Sequence, residues 1–125
     1  MRSLIRVLVV DDDEDMRALF HLVLEKHGAF EVVGQAADGA TGIVLATELQ
    51  PDVVLLDLRM PVMDGLQALP RILEGASRTK VVVLSGFADE AMAANALAAG
   101  ASAYLSKGVE LSCVVDQLLS LIGSR

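Results

Sequence analysis

The sequence predicts an α/β fold in which a doubly wound parallel sheet is covered by helices on both faces. Three observations lead there. Short Val-rich apolar runs alternate five times with longer segments of helical period. Three of those runs are nearly unbroken apolar stretches, as expected of strands buried on both faces of a parallel sheet. Neither a Pro/Ser-rich linker nor an internal repeat interrupts the alternation, so the 125 residues read as one domain, 1–125. Strict strand and helix alternation implies right-handed crossovers.

The predicted strands are Ile5 to Val10, Glu31 to Ala36, Val53 to Leu56, Lys80 to Leu84 and Ala103 to Leu105. The first helix is placed from Asp13, because Met16, Leu19, Phe20, Val23 and Leu24 recur at helical spacing, and His27 and Gly28 close it. Glu14 and Asp15 suit the positive end of its dipole. The second and third helices are placed at about Ala40 to Leu49 and Gly65 to Glu74, with Pro70 predicting a kink or a short helix in the third. The fourth, about Glu90 to Ala99, is nearly all alanine; it forms helix readily but buries little area, so it is expected to be the least firmly docked. The last carries one stripe, Leu111, Val114, Val115, Leu118, Leu119 and Ile122, and ends at Gly123.

Composition excludes several classes. Apolar residues make up 54% of the chain, too many for disorder, yet no stretch reaches the roughly 18 apolar residues of a membrane span. The segment Met1 to Arg6 meets Asp11 too soon for a signal peptide, which predicts a cytoplasmic address and no membrane partner. Cys113 is the only cysteine; no internal disulfide can form, and burial habit places it in the core. The net charge is −7 and the bases are scattered singly, which argues against direct nucleic-acid binding.

In doubly wound sheets the working site lies beyond the carboxyl ends of the strands, where strand order reverses. Asp11 and Asp12 follow the first strand, Asp57 the third, Ser85 the fourth, and Lys107 stands just past the fifth. Ala37 and Asp38 after the second strand read as a loop and a helix cap. Carboxylates gathered there repel by roughly 4 kcal/mol per pair at 4 Å and an effective dielectric of 20. A hard cation with oxygen ligands relieves that repulsion, and Mg²⁺ is favoured over a transition metal because no His or Cys is near. A carboxylate, a divalent metal, a lysine and a hydroxyl around one spot are the parts of a phosphoryl-transfer site.

Four motifs carry a resemblance to a known family: Val-Leu-Val-Val-Asp-Asp-Asp at 7 to 13, Pro-Asp-Val-Val-Leu-Leu-Asp-Leu-Arg-Met-Pro-Val-Met-Asp-Gly at 51 to 65, Val-Val-Val-Leu-Ser-Gly at 81 to 86, and Ala-Gly-Ala-Ser-Ala-Tyr-Leu-Ser-Lys at 99 to 107. From Val7 to about Ile122 the sequence resembles a response-regulator receiver domain, the phosphoacceptor half of bacterial two-component signalling, closest in style to the nitrate-type branch. The resemblance implies a flavodoxin-like five-stranded sheet of order 2-1-3-4-5 with five helices. It makes Asp57 the phosphoacceptor, Asp12 a direct ligand of Mg²⁺, Asp11 a ligand mainly through water, and the backbone carbonyl of Arg59 a further ligand. Ser85 and Lys107 would each hold a phosphoryl oxygen, Ser85 and Tyr104 would form the switch, and the signal would emerge on the helix 4–strand 5–helix 5 face.

The implied partners are a histidine kinase or phosphotransfer protein, a downstream protein target or covalently linked effector domain, and a homodimer formed on phosphorylation. Such a domain is a regulatory phosphoacceptor, not an enzyme, although it assists its own phosphorylation and slow dephosphorylation. Arg59 and Phe87 stand where the family tunes that lifetime, and bulky Phe87 predicts slow hydrolysis.

Two departures bear on this expectation. Gly108 stands where most family members have a proline after the lysine, and a non-proline cis bond costs about 3 kcal/mol, so a trans bond and a looser loop are expected. The nitrate-type branch usually continues into a helix-turn-helix domain, whereas this sequence ends at Arg125, as a single-domain regulator or an excised piece would. A receiver-like scaffold that binds partners without phosphorylation would share the fold; the complete set of Asp11, Asp12, Asp57, Ser85 and Lys107 argues against it. An aspartyl-nucleophile hydrolase would need a second acid two residues after the first, where Arg59 stands. Asp13 suffices as the cap of the first helix, and Asp64 reads as a turn or cap. His21 and His27 are assigned to solvent or capping.

Overall fold

The computed structural model describes residues 4–60, 62–86, 90–106 and 110–122. The elements run β1 (Ile5–Val10), α1 (Glu14–His27), β2 (Phe30–Ala36), α2 (Gly39–Leu49), β3 (Val53–Asp57), α3 (Gly65–Gly75), β4 (Lys80–Ser85), α4 (Glu90–Ala98), β5 (Ala103–Ser106) and α5 (Leu111–Ile122). All four strand pairs are parallel and the order is β2-β1-β3-β4-β5, as the resemblance implied. The order reverses between β1 and β3, so the crevice at their carboxyl ends is the place where such a sheet presents a site.

Strand alternation divides the core in two. Leu8, Val10, Val54, Leu56, Val81 and Val83 face one side, with Ala46, Leu69 and Ile72 from α2 and α3. Val7, Val9, Val53, Leu55, Val82 and Leu84 face the other, against Phe20 and Leu24 of α1 and Val114, Val115 and Leu118 of α5. Because both faces of the three central strands are buried, their sequences carry no polar alternation.

Polar caps fix where the helices start. Asp13 precedes α1 and accepts hydrogen bonds from the backbone of Asp15 and Met16, while Gly28 ends the helix at φ 89°, a conformation that favours glycine. Asp38 caps α2; the hydrogen bonds it receives from the backbone and side chain of Thr41 hold its carboxyl below the ordinary aspartate range. Asp64 caps α3 through a reciprocal bond with Gln67, as the turn-or-cap reading anticipated.

The structure corrects several details. The helix α3 continues to Gly75, five residues past Pro70, so the proline does not cut it short; Pro70 lies on the exposed side, where water can serve the carbonyl it leaves unbonded. Cys113 is exposed, because the stripe of Val114, Val115 and Leu118 turns the opposite side of α5 toward the sheet. Leu19 is also off the buried face of α1, at 39% exposure. For α4, Ala96 is buried and Met92 is partly so, a small anchor that agrees with the alanine-rich sequence. Gly123 lies outside the described residues. No helix among the described residues is long and apolar enough to cross a membrane.

Two non-glycine residues among those described take positive φ, Gln50 at 49° and Val62 at 69°, and the β-branched Val62 is the more strained. Its side chain is fully exposed. A β-branched residue in this left-handed region is a steric outlier, costing on the order of 1–3 kcal/mol. Asparagine tolerates the conformation, so Val62→Asn is expected to stabilise the fold by about 1 kcal/mol and raise Tm by roughly 4 °C in thermal unfolding. A lower Tm would mean that Val62 makes a compensating contact.

Candidate metal centre

The switch point of the sheet delivers three carboxylates. Asp11 follows β1 and continues its ladder, its backbone N–H donating to Ala36 O at 3.0 Å. Its Oδ1 accepts the backbone N–H of Asp13 at 2.9 Å, and its carbonyl accepts Nη1 of Arg17 at 2.7 Å. Asp57 is the last residue of β3. Val10 pairs with Leu56, so the residues that follow them, Asp11 and Asp57, emerge side by side. Both are buried, at 2% and 3% exposure, whereas Asp12 is open to solvent.

One oxygen from each of Asp11, Asp12 and Asp57 lies within 4.8 Å of the others. At that spacing three ionised carboxylates repel strongly, and two of them have little water to screen them. The donor set is all oxygen and presents two buried groups and one open one. That combination fits a hard divalent cation that keeps part of its water shell, such as Mg²⁺, better than a softer metal.

The neighbouring loop is tied down close to Asp57. Its Oδ1 accepts the backbone N–H of Arg59 at 3.2 Å, Leu58 donates to Leu84 O at 3.0 Å, and Gly65 donates to Leu58 O at 2.8 Å. A Cβ at Gly65 would overlap the carbonyl oxygen of Asp57 and come within 2.8 Å of Leu58 Cα. Glycine is therefore required where α3 begins, directly behind the candidate acceptor.

Ser85 ends β4, is fully buried, and pairs in register with Ser106 of β5. Tyr104 is half-buried against the core on the α2–α3–α4 side. The side chain of Arg59 is exposed and lines a cavity of about 510 Å³ with Asp12, Leu58, Met60, Asp64 and Met92. Lys107, Phe87 and the Lys107–Gly108 bond lie outside the described residues. The fold thus brings Asp11, Asp12 and Asp57 together, and puts Ser85 at the end of the strand next to Asp57.

Two residues at this site escaped the sequence reading. Gly65 was legible only as a helix start, although an Asp-Gly pair shortly after a buried strand signals a tight backbone approach. For Arg17 no pattern could have served, because its partner is a main-chain carbonyl.

Residues 7–119 match the model of the response regulator receiver domain. The chain is 40% identical over 115 residues to the transcriptional regulatory protein LiaR of Bacillus subtilis, an alignment covering 92% of this chain and 54% of LiaR. It therefore spans about half the length of that relative. The signal receiver domain of the response regulator NarL from Mycobacterium tuberculosis superposes with a TM-score of 0.92 at 34% identity, covering 99% of this chain and all of that one. A chain of the CheX–CheY–BeF₃–Mg²⁺ complex from Borrelia burgdorferi superposes with a TM-score of 0.88 at 26% identity, covering 95% of this chain and 90% of that one. Sequence motifs, strand order and the carboxylate cluster agree with these likenesses, and the chain belongs to the family of response regulator receiver domains.

Proposed function

We propose that residues 1–125 act as one receiver domain, a phosphorylation switch in which Asp57 accepts a phosphoryl group from a histidine kinase or phosphotransfer protein. The observation that carries this reading is the convergence of Asp11, Asp12 and Asp57 to within 4.8 Å at the switch point of the sheet. A solved relative contains CheY with BeF₃ and Mg²⁺, which supports the same chemistry here.

Asp12, Asp57 and the backbone carbonyl of Arg59 would hold Mg²⁺ directly, with Asp11 acting mainly through water. Bound there, the ion supplies positive charge against the carboxylates and the phosphoryl oxygens. A carboxylate oxygen of Asp57 attacks phosphorus; the new O–P bond forms as the P–N bond to the donor imidazole breaks, and the nitrogen keeps the electron pair. The backbone N–H of Arg59, bonded to Oδ1, orients the attacking group. Ser85 and Lys107 hold phosphoryl oxygens, stabilising charge that develops during transfer. Ser85 and the half-buried Tyr104 then shift the α4–β5–α5 face, which a downstream protein or linked effector domain reads. The small anchor of α4 supports that assignment, because an element that buries little is cheap to move.

Intact-mass spectrometry tests the reading. After incubation with Mg²⁺ and a small acyl phosphate, one acid-labile phosphoryl group is expected per chain. A chain that stays unmodified yet still binds its partner would instead be a phosphorylation-independent scaffold.

A further inference from the structure

Arg17 is the only lysine or arginine between Arg6 and Lys26, and it follows five consecutive acids, Asp11 to Asp15. It is half-buried in the first turn of α1. Its side chain does not point away to solvent as a lone surface base would; Nη1 donates to Asp11 O at 2.7 Å. Its backbone N–H donates to Asp13 O at 3.1 Å. That second bond is the ordinary first bond of the helix, open to any residue but proline, so what arginine adds is the side-chain bond to the carbonyl just before Asp12.

That grip matters because Asp12 is the least supported member of the cluster. Asp11 is fixed by the ladder bond to Ala36 and the bond its Oδ1 receives from Asp13, and Asp57 is fixed by β3 and the bond from Arg59. Asp12 is exposed, and its carboxylate stands within 4.8 Å of two buried ones, whose repulsion favours any rotation that carries it away. Rotation of the Asp11–Asp12 peptide would let it go, and the guanidinium bond to Asp11 O opposes that rotation.

We infer that Arg17 is a positioning residue for the metal centre: by pinning the carbonyl of Asp11, just before Asp12, it holds the Asp12 carboxylate in the geometry that Mg²⁺ binding requires. The inference rests on the proposed reading of the site. Two effects of Arg17 oppose one another. Its charge lies among the acids and disfavours a cation, while its hydrogen bonds favour the cation by fixing a ligand. Positioning wins, because a charge on a half-exposed side chain is screened by solvent and salt, whereas Mg²⁺ demands near-octahedral geometry. Groups that orient metal ligands typically change affinity by about 10- to 100-fold when removed.

The test is titration of MgCl₂ into the ¹⁵N-labelled chain, followed by amide chemical shifts. Arg17→Met keeps the apolar stem and loses the donors, and is expected to weaken Mg²⁺ about tenfold. Arg17→Lys keeps charge and one possible bond, and should fall between that variant and the parent. It also carries the comparison if the Met variant does not fold, since any weakening there occurs with the charge retained. In the Asp12→Asn background, Arg17→Met and Arg17→Lys should have little further effect, because residues acting as one unit are non-additive. Unchanged or tighter Mg²⁺ binding in the Arg17 variants overturns the inference, as does an equal loss with and without Asp12. If the parent chain itself binds no Mg²⁺, the reading of the site fails instead.

Discussion

Asp57→Asn is expected to take up no detectable phosphoryl group from an acyl phosphate in the presence of Mg²⁺, with labelling at least about 1000-fold slower than the parent. The carboxamide has nearly the same shape and can still accept the Arg59 N–H bond, so the loss would be chemical and not structural. Its oxygen carries no full charge and its nitrogen lone pair is delocalised, which leaves no competent nucleophile. The same change removes one of three converging negative charges. In Mg²⁺-free solution the variant should therefore be more stable than the parent, by about 1–2 kcal/mol, or roughly 4–8 °C in Tm. Mass spectrometry and thermal unfolding on one sample check both halves. Persistent labelling would place the acceptor elsewhere, and a destabilised variant would mean that the favourable contacts of the Asp57 carboxylate outweigh the repulsion.

Gly65→Ala is expected to be among the most damaging single-methyl additions in the chain. The new Cβ would overlap Asp57 O and press on Leu58 Cα. Both are backbone atoms within a hydrogen-bonded network of Leu58, Leu84 and Gly65, so no flexible side chain can move aside. Relief requires either α3 to withdraw or the end of β3 to shift, and the cost is about 3 kcal/mol, a fall in Tm of roughly 10 °C. Whatever remains folded should also label slowly, because the displaced segment carries the acceptor. Gly42 offers a contrast: a methyl there meets the side chain of Val10 at 2.9 Å, and a side chain can yield where backbone cannot. A Gly65→Ala chain with parental Tm and parental labelling would show that the loop has slack.

The fold was legible because a parallel sheet buried on both faces leaves its strands unbroken, and runs such as Val53 to Leu56 and Val81 to Leu84 announce themselves. The apolar pattern stops one residue before the strands do at Asp57, Ser85 and Ser106, since a polar residue ends the pattern while the backbone ladder continues. Cys113 is exposed where burial habit predicts a core position, because that habit is an average over proteins whereas helical phase decides each position. Pro70 ends no helix here because its side of α3 faces water.

Local pattern and chain order are enough to specify the class of fold, its five alternations of strand and helix, and the polar residues at the strand ends. The packed chain adds the 4.8 Å convergence of Asp11, Asp12 and Asp57, the need for Gly65 to lack a side chain behind Asp57, and the Arg17 bond to the carbonyl that precedes Asp12. The physical reason is common to all three. Each is set by a distance between groups that folding brings together, or by a bond to a main-chain carbonyl; the order of side chains names candidates, such as the Asp64-Gly65 pair, but carries neither the distance nor the bond.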